Sequence, residues 1–202
     1  MSPVLSREQL DRIIEFSQGR HRLQDFDHTF WHIELTVRIA EFLAEREGAD
    51  KEVCAVAAYL HDIAKNNSER HSIDGAEEAS NFLASLEVPG PFIKQVHYAI
   101  SQHDNDRPKE TLEAKVLWDA DKLQSIGPLG FARVFGYRLF FEKQDIRYAV
   151  ERAREYIDFF AERFYTDTGR SIARRMFAHM EEFFKLYQSA ISVDFAELAR
   201  DI

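Results

Sequence analysis

The stretch KEVCAVAAYLHDIAK, Lys51 to Lys65, decides how this chain folds. Val53, Cys54, Val56, Ala57, Ala58 and Leu60 leave it almost no polar face, and a helix apolar nearly all round belongs at the centre of a domain. Asp50 stands where an N-cap belongs, so the pattern predicts a helix from Lys51 to about Ala64. The run then meets His61 and Asp62, which are costly to bury without partners. Neighbours on a helix point about 100° apart, so the two can grip one ion only at a helix end facing a cleft. From these residues alone, two readings stand level. One is a metal site, since imidazole and carboxylate together suit Zn, Mn, Fe or Ni. The other is a satisfied core histidine beside an aspartate bonded to the following loop.

Working outward, the spacing stays helical and strand-like alternation is scarce. Ser6 and Gln9 form a capping-box pattern that opens a helix through Phe16, with Gly19 as its break. Phe30, Ile33, Val37, Ala40 and Ala44 mark a helix over about 27–47, stopped by Gly48. Ser72 or Asp74 starts the next, ending near Leu86, and VPGP breaks the chain before a helix to Gln102 with Pro91 in its first turn. Thr111 to Ser125 is helical, IGPLG punctuates it, and two long helices over 146–164 and 168–191 follow. No repeat, low-complexity tract or linker divides the chain. It reads as all-α: one helical-bundle domain over residues 1–202, with about eight helices.

Composition bounds the function. Hydrophobic residues make up 45% of the 202 residues and 17 are phenylalanine, enough for a substantial core. A net charge of −9 opposes non-specific nucleic-acid binding. It leaves an anionic small substrate open, because a bound metal reverses the local potential. No run approaches the roughly 18 apolar residues of a membrane helix, and the first residues lack the apolar segment of a signal peptide. With a single cysteine, Cys54, that reads as packing, a cytoplasmic protein without an intramolecular disulfide is expected.

Six of the eight histidines fall between His28 and His103. His28 and His32 are spaced i,i+4 and share a helical face. In VLWDADKL, Asp119 and Asp121 interrupt a core-like run. Residues two apart diverge around a helix, so one carboxylate can hold an ion while the other braces a ligand.

His32, then His61-Asp62 at the end of an apolar helix, then Asp121 in DADKL together resemble the H…HD…D signature of the HD-domain superfamily of metal-dependent phosphohydrolases. WHIELTVRIAEFLAE resembles the family's first ligand helix and AAYLHDIAK its second. WDADKLQSIGPLGFARVFGY and TDTGRSIARRMFAHMEEFF resemble one bacterial and archaeal subgroup, so the likeness covers about residues 25–188. It implies an HD-type bundle with His32, His61, Asp62 and Asp121 as ligands of a divalent ion (Mn, Mg, Fe, Ni, Co or Zn). His71 and His103 stand where some relatives hold a second ion or brace the first. The segment between Asp62 and His71 is short for that purpose.

The resemblance further implies hydrolysis of a phosphate ester or anhydride, a nucleotide foremost, by a metal-activated water. Asp62 would orient that water. Lys65 replaces the glutamate of several nucleotidases and resembles the lysine of HDIGK-type phosphodiesterases; Lys65, Lys122 and Arg133 are the candidate phosphate-binding cations. Arg133 can alternatively pair with Asp119. The pocket is expected from NNSERH, QHDNDRPKE and RVFGYRLFFEKQD, and the aromatic residues from Phe131 to Phe141 either stack a base or pack the core. Two other readings remain: a di-iron oxygenase on the same scaffold, and a metal-bearing sensor or interaction module without turnover.

Overall fold

The computed structural model describes residues 3–22, 29–65, 70–105 and 107–192. Among them the order is α1 (Arg7–His21), α2 (Phe30–Glu47), α3 (Lys51–Leu60), α4 (His71–Ser85), α5 (Gly90–Gln102), α6 (Leu112–Lys122), a 3-10 turn (Leu123–Ser125), α7 (Gly127–Phe140), α8 (Ile146–Phe159) and α9 (Asp167–Ile191). The described residues are all-α, with no strand.

The centre is α3. Asp50 caps it, accepting from the backbone N–H groups of Glu52 at 3.0 Å and Val53 at 3.1 Å. Val53, Cys54, Val56, Ala57, Ala58 and Leu60 are buried, and α1, α2, α5 and α6 pack around them. Cys54 is core, and burial pushes its thiol pKa up, away from nucleophilic chemistry. The helix stops at Leu60, not near Ala64: residues 61–65 form turns, so His61 and Asp62 stand at a helix end. Gly48, in the left-handed region at φ 77°, ends α2 as its sequence predicts.

Three further boundaries differ from expectation. α1 runs through Gly19 to His21, because the buried side chains of Ser17 and His21 fasten its last turn to the body: Ser17 Oγ donates to the Tyr59 carbonyl at 2.5 Å. α8 ends at Phe159, because the chain must turn to deliver the N–H groups of Tyr165 and Thr166 to Asp119. The third is α7, which begins inside the Gly/Pro cluster that reads as punctuation; Pro128 is tolerated because it lies in the first turn.

Asp119 is a structural anchor. It accepts from Tyr165 N at 2.9 Å, Thr166 N at 2.7 Å and Thr166 Oγ1 at 2.6 Å, where α9 begins. Burial nevertheless pushes its pKa up to about 6. A Cβ on Gly169 would lie 2.3 Å from its Oδ2, so only glycine lets α9 start this close to the carboxylate.

Candidate functional site

The site forms where α2, the end of α3, the start of α4, the end of α5 and the end of α6 converge. His32 comes from the first turn of α2, His61 and Asp62 from the turn that closes α3, and Asp121 from the last turn of α6. His71 opens α4 and His103 closes α5. All six are buried.

Their donor atoms fall into two groups that can hold metal ions, each within 4.8 Å internally: His32, His61 and Asp121, then Asp62, His71 and His103. Asp62 joins the groups. Its Oδ2 faces the first, 3.2 Å from His61 Nε2 and 3.8 Å from His32 Nε2. Its Oδ1 faces the second, 3.2 Å from His103 Nε2 and 3.8 Å from His71 Nε2. His32 Nε2 is 3.5 Å from Asp121 Oδ1.

Backbone geometry fixes how two of these rings present themselves. His61 Nδ1 lies 2.9 Å from the Ala58 carbonyl and His103 Nδ1 lies 2.6 Å from that of Ile100. A carbonyl only accepts, so each Nδ1 carries the proton and a neutral ring turns a bare Nε2 to the centre. There both nitrogens meet carboxylate oxygens, acceptor against acceptor. His61 Nε2 is buried and, despite its nearness to Asp62, makes no hydrogen bond. Only a cation or an added proton satisfies such a set, so these residues fit a divalent ion.

The electrostatics agree. Burial pushes His32 down to about 4 against the opposing pull of Asp121, which keeps the ring neutral. Burial and then Lys65 push His71 down to about 4. Burial would raise Asp121, but Lys122, 2.7 Å away, with His61 and His32, holds it well below the usual carboxylate range. Burial is likewise outweighed at Asp62, by His61 and His103, and the carboxyl stays ionised. In return Asp62 raises the pKa of His61 despite complete burial.

A cavity of about 120 Å³ opens from the donors, with Lys65, Lys122 and Arg133 among its lining residues. Lys65 Nζ is 3.1 Å from His71 Nε2. Arg133 lines the cavity from α7, while Asp119 is bonded to the start of α9. The QHDNDRPKE and RVFGYRLFFEKQD segments do contribute, through His103, Asp104, Arg133 and Val134. Residues 66–69, the NNSE of NNSERH, and His28 lie outside the described residues. Phe131 stacks on Phe135 and packs against Phe183 and Phe184 of α9, while Tyr137 stacks on Phe141 and, with Phe140, is exposed. His97 is bonded to α4 through Ser80 and the Ala76 carbonyl, and His179 is exposed on α9.

Three residues at the site carry little sequence signal. Asp104, 3.1 Å from His71 Nε2, belongs to a loop that reads as solvated charge. Tyr156 lines the cavity from an amphipathic helix. Gln124 lies 3.0 Å from His32 Nδ1; its one signal is a polar residue amid the apolar Leu123 and Ile126.

Comparison with known proteins gives a consistent picture. The HD-domain family pattern matches residues 29–126, the span holding all six donors. Ribonuclease Y of Borreliella burgdorferi is 36% identical over 103 residues, 48% of this chain and 19% of its own length. The chain thus spans about a fifth of that relative. A predicted HD-superfamily hydrolase from an uncultured Thermotogales bacterium superposes with a TM-score of 0.71 at 27% identity, over 91% of this chain and 94% of that one. Bacillus subtilis YpgQ, solved in complex with ADP, gives 0.75 at 23% identity over 92% and 96%. Among the described residues no helix is long and apolar enough to cross a membrane.

Proposed function

The chain belongs to the HD-domain superfamily, and on that premise we propose that it is a metal-dependent phosphohydrolase acting on a nucleotide phosphoester or phosphoanhydride. One observation carries the reading: two buried His/Asp donor groups, joined by the two oxygens of Asp62, open onto a small cavity that also receives three cationic side chains. His32, His61, Asp62 and Asp121 would hold the ion. Once bound, a divalent cation supplies Lewis-acid polarisation of a phosphoryl oxygen and lowers the pKa of a coordinated water to about 7.

The chain's own groups do the rest. Lys65 and Arg133 offset charge on the phosphate oxygens, worth about 3 kcal/mol for a well-aimed donor. Lys122 has a different first duty, since its ammonium is engaged with Asp121 and keeps that carboxylate ionised. In the second group the Lys65 ammonium already takes His71 Nε2 as its acceptor, so this group holds an ion only when Lys65 leaves it. We therefore assign one ion to the resting site.

The cations favour a phosphate substrate, and a di-iron oxygenase would need an ion in each donor group. ADP bound to YpgQ and the phosphodiester substrate implied by the name ribonuclease Y support phosphate chemistry on this scaffold. The test is a panel of nucleotides and generic phosphodiesters with Mn, Mg, Ni, Co and Fe. Metal-dependent release of phosphate or pyrophosphate, or cleavage of a diester, is expected. Ion binding with no turnover on any member would instead support the sensor reading.

A further inference from the structure

We propose that Gln124 is a positioning residue that selects the tautomer of His32, and so presents His32 Nε2 as a lone pair to the ion. Gln124 is buried in the 3-10 turn after α6, between Leu123 and Ile126, and a buried amide needs partners for both ends. Its partners form a closed ring. The Thr36 hydroxyl donates to the His32 carbonyl at 2.8 Å. Having used its one proton there, Thr36 Oγ1 can only accept, and Gln124 Nε2 donates to it at 2.7 Å. The other Nε2 hydrogen lies toward the His32 carbonyl at 3.4 Å. This orients the amide, leaving Oε1 3.0 Å from His32 Nδ1. A carbonyl oxygen only accepts, so Nδ1 must carry the ring proton, and in the neutral ring Nε2 is bare. Turning the amide over would set its oxygen against the His32 carbonyl and against a hydroxyl whose proton is already used.

His61 and His103 reach the same tautomer by another route, through backbone carbonyls three residues earlier in their own segments. No side-chain substitution removes those carbonyls. His32 alone of these three depends on a side chain, and that side chain lies 92 residues away. This joins α2 to the turn after α6, so the ring couples the chemistry of one ligand to the packing of two helices.

The tautomer is a property of the metal-free chain, while its consequence for the ion rests on the function proposed above. Long-range 1H–15N spectra of the metal-free protein, with His32 assigned by the signals lost in His32→Gln, should show a protonated Nδ1 and a lone-pair Nε2. Gln124→Met, of similar length but with no polar end, should mix or reverse the tautomers and raise the Kd for Mn2+ about 10- to 100-fold by calorimetry. Gln124→Glu keeps an acceptor at Nδ1 but sets its second oxygen against Thr36 Oγ1, so it should keep the tautomer while lowering Tm, a split that mere packing would not give. Should Gln124→Met fail to fold, Thr36→Val cuts the bond that orients the amide and should also mix the tautomers. A wild-type His32 protonated on Nε2, or a folded Met or Val variant with unchanged tautomer and Kd, overturns the proposal. A wild-type protein with the expected tautomer that binds no Mn2+ overturns the metal assignment, and with it the ion-presenting half of this one.

Discussion

On the donor side of the cavity, His32, His61, Asp62 and Asp121 are buried and project from α2, the end of α3 and α6, elements packed on one another around α3. Across the cavity, Arg133, Val134 and Tyr156 come from α7 and α8. Those two helices pack chiefly on each other, and large apolar side chains such as Tyr137, Phe140, Ile146 and Phe159 remain exposed on them. The donors are thus held by helices packed around α3, and the opposite wall by helices that leave large apolar side chains exposed. A ligand set needs atoms fixed within tenths of an ångström, whereas a wall that meets a flexible phosphate chain does not.

This contrast can be broken in graded steps. Asp62→Ala removes the one residue shared by both donor groups and should abolish metal binding and turnover together; metal-dependent turnover in this variant would undo the site. Lys65→Ala should lower kcat about 10²- to 10³-fold while the ion stays bound, measured by steady-state kinetics beside metal analysis. Loss of the ion there would mean that Lys65 belongs to the donor side. Arg133→Ala, on the opposite wall, should raise KM about tenfold with kcat less affected, the signature of lost substrate binding.

Two further steps separate folding from chemistry. Asp119→Ala should cost about 2–3 kcal/mol, lowering Tm by about 5–10 °C, because it strips the acceptor from two backbone N–H groups at the start of α9. The folded fraction should keep wild-type turnover, in contrast to Asp121→Ala two residues on. Chelation should lower Tm by a comparable amount, about 2–3 kcal/mol at an ion concentration near a hundred times Kd.

The bundle and its ligands were unequally legible in the sequence. The helices around α3 show themselves through apolar spacing and caps such as Asp50 and Gly48, because those signals are local. His32, His61, Asp62 and Asp121 stand out as polar residues within apolar helices, and the family likeness links them. The family likeness picks Asp121 over Asp119, and the geometry supplies the physical reason. Both read as carboxylates spoiling one apolar run, yet one faces the start of α9 and the other faces His32. α7 was hidden because Gly127, Pro128 and Gly130 look like breakers until the close packing of its first turn is seen. Gln124 and Asp104 were illegible for a third reason: their meaning lies in partners far along the chain or on another helix.

The most direct measurement is the number of divalent ions bound per chain after exhaustive chelation and readdition of Mn2+, for the wild type and for Asp62→Ala. One ion in the wild type and none in the variant is the expected result. No ion in the wild type, or equal occupancy in both, would contradict the metal centre, and two ions in the wild type would contradict the place given to Lys65.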